Sequence, residues 1–180
     1  MPRTLCYWLS LLLCIVWGLF AQGATAAQAS CFPQVQLKPL EAKSARIQLP
    51  DSRQPLFVAV GFDHRVQPRL EAALLRVEGL QKSGLPLKLV EIPIIEPQYR
   101  RFEGQINPFM RGAVKNKQLL GAVYPYYTDK KQLRARLGLG PQEDVVFLVC
   151  AANGNLLWKS TQGAFTSSDL ARVRQLMATP

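Results

Sequence analysis

Residues 56–80 read LFVAVGFDHRVQPRLEAALLRVEGL and contain a predicted strand, a five-residue turn and a predicted helix. The first seven residues are apolar or glycine, which is typical of a central strand covered on both faces. Pro68 suits the first turn of a helix, where its missing N–H needs no partner. The helix has an apolar stripe at Leu70, Ala73, Leu74, Val77 and Leu80 and an expected solvent side at Arg69, Glu71, Arg76 and Gln81.

The rest of the chain alternates between segments with the two-residue repeat of a strand and segments with the 3.6-residue repeat of a helix. We predict an edge strand at 44–49, a strand at 87–95, an extended segment at 124–127, a helix at 107–117 with Phe109, Met110, Ala113 and Val114 inward, and a short helix at 129–137. Asn153-Gly154 between two apolar runs, 145–150 and 156–159, predicts a β-hairpin. A last helix begins after Thr166, with Asp169 in a capping box. This order predicts an α/β protein with a mixed sheet flanked by helices.

The N-terminus has the features of a secretory signal peptide at residues 1–29. Arg3 is followed by an apolar stretch from 5 to 21 and by two A-x-A cleavage sites. An uncleaved membrane anchor is the alternative. Residues 30–43 show little periodicity and are interpreted as an N-terminal arm, so the folded domain is predicted to span 44–180. We expect an exported protein, periplasmic or secreted, that could associate with a membrane.

Two cysteines remain after the signal segment, Cys31 and Cys150. In an oxidising compartment they could form a disulfide that ties the arm to a core strand. The alternative is that Cys150 is simply a small buried apolar residue and Cys31 a free thiol. Pairing cannot be decided from sequence.

The chain is strongly basic. Its formal net charge is +10, which becomes +9 once Arg3 leaves with the signal segment. Such an excess favours anionic partners, and export argues for an anionic membrane surface or an acidic protein rather than nucleic acid. Basic residues cluster at Arg100-Arg101, at Arg111, Lys115 and Lys117, and at Lys130, Lys131, Arg134 and Arg136, with aromatic residues between them. Ordinary solvated helix faces are the alternative interpretation.

Two parts of the chain resemble known families. Residues 37–80 look like the opening of thioredoxin-like proteins of the peroxiredoxin and thiol-reductase kind. Residues 126–177 are similar to the thioredoxin-like assembly factors of the mitochondrial ATP synthase membrane sector, through LRARLGL at 133–139, VFLV at 146–149, NGNLLW at 153–158 and Gly163. The resemblance implies a thioredoxin-like three-layer fold, and its second part implies an assembly role.

The reactive cysteines of that fold are missing. The turn that would carry them reads Asp63-His64-Arg65-Val66-Gln67, and no Ile-Pro or Val-Pro dipeptide, the usual cis-proline site, precedes the strand at 145. Thiol exchange needs an exposed, activated thiolate. We therefore expect a non-catalytic protein that acts by binding. A divergent periplasmic thiol oxidoreductase or peroxiredoxin-like enzyme is the alternative.

The cysteine-free turn and the clusters of basic residues each suggest candidate binding residues. Asp63, His64 and Arg65 form the lip of the groove where thioredoxin-like relatives bind partners, and Lys130, Lys131 and Arg134 form a basic helix face. A lone His64 is too few ligands for a metal site, and Glu91, Glu96 and Glu103 share no helix face that suggests a catalytic pair. No metal and no cofactor are expected. The predicted role is assembly or chaperone-type binding of a protein, such as a membrane-complex subunit.

Overall fold

The computed structural model describes residues 29–41, 43–50 and 53–178. The predicted signal peptide lies outside the described residues, except for Ala29. The strands and helices follow in the order β1 (Val35–Leu37), β2 (Ile47–Leu49), β3 (Leu56–Gly61), α1 (Gln67–Lys82), β4 (Lys88–Ile95), α2 (Glu103–Ala113), β5 (Tyr126–Tyr127), α3 (Lys130–Arg136), β6 (Val145–Cys150), β7 (Leu156–Ser160) and α4 (Ser167–Ala178). Short 3-10 helices precede α1, α2 and β5, at His64–Val66, Pro97–Phe102 and Lys117–Ala122.

The main sheet has five strands in the order β5-β4-β3-β6-β7. β3, β4 and β5 are parallel, and β6 and β7 are antiparallel to their neighbours. Gly61 pairs with Pro93 and with Val145, so the ends of β3 and β4 and the start of β6 meet at one edge of the sheet. The turn at 63–67 leaves from this edge, which fixes where the candidate site lies.

Both faces of this sheet are covered, because alternate strand residues point to opposite sides. On one side Phe57 and Phe147 pack with α1, α4 and Phe165, with ring centroids 5.2 to 6.1 Å apart. On the other side Val58 and Val60 pack with α3 and with a small antiparallel sheet of β1 and β2. Each such buried side chain contributes about 1.5–3 kcal/mol. The predicted three-layer α/β architecture is confirmed.

Residues 29–40 are docked onto the domain. Cys31 forms a disulfide with Cys150, Cys31 N–H donates to the Gly154 carbonyl at 2.9 Å, and Phe32 is 1 % exposed. β1 lies within the segment that the sequence suggested was an arm. This segment gains its order from long-range pairing, which leaves no local periodicity to detect.

The predicted hairpin forms, but its turn differs from the expectation. Within the described residues no non-glycine residue has a positive φ, so Asn153 is not left-handed, whereas Gly154 has φ 84°. Asn153 Oδ1 instead accepts a hydrogen bond from the Asn155 N–H at 3.1 Å, and a bulge lies between Val149 and Cys150. The Ala151 N–H donates to the Asn155 carbonyl, so the connection is longer than a two-residue turn, and residues 29–31 pair with it.

The predicted helix at 107–117 is wrong in its limits and in one face. α2 begins at Glu103 and ends at Ala113, with Pro108 inside it. Phe109, expected inward, is 78 % exposed, and Ala113 is exposed as well. The covered side follows Ile106, Met110 and Val114, spaced by four residues, so Phe109 projects into solvent.

Candidate functional site

The turn after β3 is closed by its own side chains. Asp63 Oδ1 accepts hydrogen bonds from the Arg65 N–H at 2.8 Å and from Arg65 Nε at 2.9 Å, and Arg65 Nη2 lies 2.9 Å from Asp63 Oδ2. These bonds hold the pKa of Asp63 well below its usual range and raise the pKa of Arg65. His64 is 93 % exposed, with its Nδ1 3.5 Å from Asp63 Oδ1. The turn therefore presents a charge pair and an imidazole to solvent.

Arg134 lies on α3 and contacts both Phe62, beside this turn, and the loop before β6. Its guanidinium donates to the carbonyls of Gly140 and Glu143, pairs with Asp144 at 2.8 Å, and lies 4.4 Å from the ring centroid of Phe62. The side chain is 15 % exposed. Because these partners occupy the guanidinium, Arg134 stabilises the loop before β6, whereas the sequence suggested a ligand-facing role.

Lys130 and Lys131 lie apart from the turn at 63–65. They line a separate depression of about 500 Å³ at the start of α3, together with Glu96 and Arg134. The structure thus brings Asp63, His64 and Arg65 together but does not join them to the two lysines in one cavity.

A groove of about 740 Å³ opens between α1 and the end of α2. One wall is apolar, formed by Pro68, Ala72 and Leu75, and Leu75 is 41 % exposed. The other lining residues are His64, Arg65, Gln67, Glu71, Ala113, Lys115 and Asn116. An apolar wall beside polar groups is the usual composition of a ligand-binding cleft.

Two buried carboxylates lie next to this groove: Glu71 lines it, and Glu91 is hydrogen-bonded to the lining residue Gln67. Neither was predicted as a site residue. Glu91, in the middle of β4, is 1 % exposed and accepts a hydrogen bond from Gln67 Nε2 at 2.9 Å. Glu71, expected on the solvent side of α1, is 9 % exposed and accepts from the Asn116 N–H at 2.7 Å. The connection after α2 covers Glu71, and no local pattern in the sequence predicts that Glu71 is buried.

Burial dominates the protonation of Glu91. Burial raises the pKa of Glu91, the hydrogen bond from Gln67 lowers it, and the nearby Glu71 raises it, so that the resulting pKa is about 7. A sequence signal existed: Glu91 interrupts the apolar strand KLVEIPII and pairs in register with the small residue Ala59. The same parity puts Leu89 and Glu91 on the face that α1 covers.

The disulfide lies at the opposite edge of the sheet. Cys150 pairs with Leu56 at the start of β3, whereas the turn at 63–67 follows its end. The five intervening steps correspond to about 17 Å. Cys31 is 1 % exposed and Cys150 0 %. Within the described residues there is consequently no thiol near the turn where this fold would carry out thiol chemistry.

Two features are absent from residues 29–41, 43–50 and 53–178. No group of three or more His, Cys, Asp or Glu side chains in these ranges could hold a metal ion. No helix in the part of the chain that the structure describes combines the length and apolarity needed to cross a bilayer.

The fold is similar to that of solved thioredoxin-like proteins. A putative electron transport protein from Aquifex aeolicus superimposes with a TM-score of 0.58 at 12% identity, covering 86% of this chain and 100% of that one. The thioredoxin domain of a thiol-disulfide oxidoreductase from Bacteroides vulgatus gives 0.55 at 12% identity, covering 84% and 98%. A DsbF homologue from Corynebacterium diphtheriae gives 0.54 at 14% identity, covering 83% and 85%.

These comparisons establish the fold as thioredoxin-like. No protein-family profile matches the sequence, and the comparison with curated proteins gives no match. The similarity of residues 126–177 to the ATP synthase assembly factors stays a prediction.

Proposed function

We propose that this protein is a non-catalytic, exported binding protein that holds a segment of a partner protein in the groove between α1 and α2, in an assembly or chaperone-type role. The partner class is a protein segment with apolar side chains for the wall at Leu75 and an acidic residue for Lys115. A subunit of a membrane complex is the preferred partner.

One observation carries the proposal. The turn that supports thiol chemistry in this fold holds an Asp63–Arg65 pair and an exposed His64. Thiol–disulfide exchange needs an accessible thiolate, and the sulfurs of Cys31 and Cys150 are bonded to each other and buried at the far edge. The groove beside the turn is open to solvent, and binding a partner there requires no reactive group.

A position-specific photocrosslinker tests the proposal. Benzoylphenylalanine is introduced at Leu75 in the groove and, as the matched control, at Leu157, which is 40 % exposed on β7. We expect a covalent adduct of defined mass from position 75 in cells, identified by mass spectrometry as one protein. Adding Ala72→Arg, which fills the groove, should abolish it. Adducts that form equally from position 157, or that persist with Ala72→Arg, would refute the proposal.

A second candidate is thiol–disulfide exchange through the Cys31–Cys150 disulfide. It is favoured by the fact that two of the similar structures are described as a thiol-disulfide oxidoreductase and a DsbF homologue. It predicts that glutathione reduces the native disulfide as fast as it reduces the urea-unfolded chain. Reduction that is many-fold slower in the native protein, as burial of both sulfurs implies, would eliminate this candidate.

A further inference from the structure

Residues 97–113 form an amphipathic element whose outer side is apolar and has no cover. Within this range the structure buries no side chain fully. Phe109 is 78 % exposed, Tyr99 48 % and Phe102 39 %. Large exposed apolar groups in series are unusual on a monomer and mark a contact surface.

The three aromatic residues share one side of the element. Tyr99 and Phe102 are three residues apart in a 3-10 helix, which is one turn. Phe102 and Phe109 are seven residues apart across the start of α2, which is close to two α-helical turns. The aromatic strip therefore runs along one line, about 16 Å long from the rises of the two helix types.

The opposite side of the element is fixed to the domain. Tyr127 Oη donates to Asn107 Oδ1 at 3.3 Å, Arg111 Nη1 donates to the Leu40 carbonyl at 3.3 Å, and Met110 packs against the small cluster around Val114. The strip is thus held facing outward by the fold, so its exposure does not result from a loosely attached helix.

Positive charge surrounds the strip. Residues 97–117 contain five basic residues and one acidic residue, Glu103. Arg100 and Arg101 are exposed, and the Arg101 guanidinium lies 4.8 Å from the ring centroid of Phe102. Arg111 and Lys117 donate to backbone carbonyls, which leaves Arg100, Arg101 and Lys115 as the outward charges of this element.

We infer that the strip of Tyr99, Phe102 and Phe109, with Arg100 and Arg101, is a docking surface for an anionic lipid bilayer. A helix with an apolar strip and flanking cations lies in the interfacial plane of a bilayer, with the rings between acyl chains and the cations at anionic headgroups. The strip is about 16 Å by one helix diameter, roughly 160 Å². That is far below the ~800 Å² per partner of a stable protein–protein interface.

This surface is independent of the groove residues that carry the proposed function, although the two adjoin. The 3-10 helix at Pro97–Phe102 follows the end of β4, at the same edge of the sheet as the turn at 63–67, and Ala113 and Lys115 line the groove. Docking through the strip would bring the groove mouth to the membrane surface. Failure of lipid binding would leave groove binding unaffected, so the two ideas are tested separately.

Co-sedimentation with vesicles tests the inference. The purified full chain is mixed with phosphatidylcholine vesicles or with vesicles that also contain phosphatidylglycerol, at about 0.05 M and about 0.5 M NaCl. We expect binding that requires phosphatidylglycerol and is lost at high salt, because surface charges are screened. Residues 1–28 are common to every variant, so each comparison is made between variants on the same vesicles.

Matched variants locate the surface. Phe109→Ser should weaken binding about tenfold, since it removes one inserted ring. Leu157→Ser, which removes an apolar side chain that is 40 % exposed on β7, should have no effect. Arg100→Gln with Arg101→Gln should also weaken binding at least tenfold, because the double variant loses two cations that attract anionic headgroups. Lys130→Gln with Lys131→Gln is the charge-matched control.

Three results would overturn the inference. They are equal binding to both kinds of vesicle, equal loss in the strip variants and their controls, and binding to polyglutamate in preference to vesicles. The last result would identify the surface as a site for an acidic protein. All variants alter exposed side chains except for Lys130, which is partly buried, and unchanged thermal unfolding verifies that each variant is folded.

Discussion

Replacing Glu91 by glutamine should stabilise the protein at high pH and leave it unchanged at low pH. Glu91 is 1 % exposed, and burial raises its pKa from 4.5 to about 7 in the folded state. Between these values the folded protein binds a proton that the unfolded chain releases, so the free energy of unfolding falls as pH rises. Above about pH 7 both states are ionised and the loss is complete.

The magnitude follows from the two pKa values. At about 1.36 kcal/mol per pH unit, a rise from 4.5 to about 7 corresponds to about 3 kcal/mol of lost stability at high pH. The amide of the Glu91→Gln variant would keep an acceptor oxygen for Gln67 Nε2, now 2.9 Å from the carboxylate, and would carry no charge. The variant should therefore recover most of that loss.

Urea denaturation of both proteins at about pH 4 and about pH 8.5 measures the effect. The curves should nearly coincide at low pH, where the carboxyl group is protonated in both states, and the variant should be more stable by about 3 kcal/mol at high pH. Glu71→Gln should narrow the gap, because it removes the like charge that raises the pKa of Glu91. A gap of equal size at both pH values, or no gap at high pH, would show that the reasoning is wrong.

Three other substitutions have effects that can be worked out from contacts. Removing the disulfide with Cys31→Ala and Cys150→Ala should cost about 5 kcal/mol by the loop-closure estimate for a separation of 119 residues; dithiothreitol should shift the denaturation midpoint of the wild type but not of the variant. Arg134→Met should lower the free energy of unfolding by about 2 kcal/mol, because it leaves the Gly140 and Glu143 carbonyls without their donor. Arg134→Lys should recover only part of that loss, since an ammonium group cannot reproduce the several donors of a planar guanidinium. An unchanged denaturation midpoint for Arg134→Met would contradict this. Gly61→Ala should cost about 1–3 kcal/mol, since an added Cβ would approach Leu70 Cδ1 to 2.6 Å and Val66 Cγ2 to 2.9 Å; thermal unfolding that matches the wild type would contradict it.

Local patterns predicted the elements that depend on nearest neighbours. The strand at 56–61 and α1 follow from a run of apolar residues, a proline in the first turn and a repeat of 3.6 residues. The capping box at Thr166 also forms, with the Thr166 N–H donating to Asp169 Oδ2 at 2.7 Å and the Asp169 N–H to Thr166 Oγ1 at 3.2 Å. Such signals are readable because all the interacting groups lie within four residues of one another.

The candidate site was predictable only in part. The place of the turn at Asp63, His64 and Arg65 follows from the order of strand and helix. The absence of a cysteine from this turn is read directly from its residues. The burial of Glu71 was not predictable, because Asn116, which covers it, is 45 residues away. For Glu91 the apolar strand gave a signal of burial, but nothing local indicated its hydrogen bond to Gln67, which is 24 residues away. The structural role of Arg134 was not predictable either. It depends on the Gly140 and Glu143 carbonyls, the Asp144 carboxylate and the Phe62 ring, all of which lie outside the helix that carries Arg134.

The sequence by itself determined the α/β class, the order of the longer strands and helices, the strongly basic charge, and the absence of a cysteine between Phe62 and Pro68. Those properties depend on composition and short-range periodicity, which each segment carries on its own. Only the tertiary structure decided the pairing of Cys31 with Cys150, the burial of Glu91, and the outward direction of Phe109. The physical reason is that burial and pairing depend on which distant segment covers a side chain, and no single segment of the sequence specifies that contact.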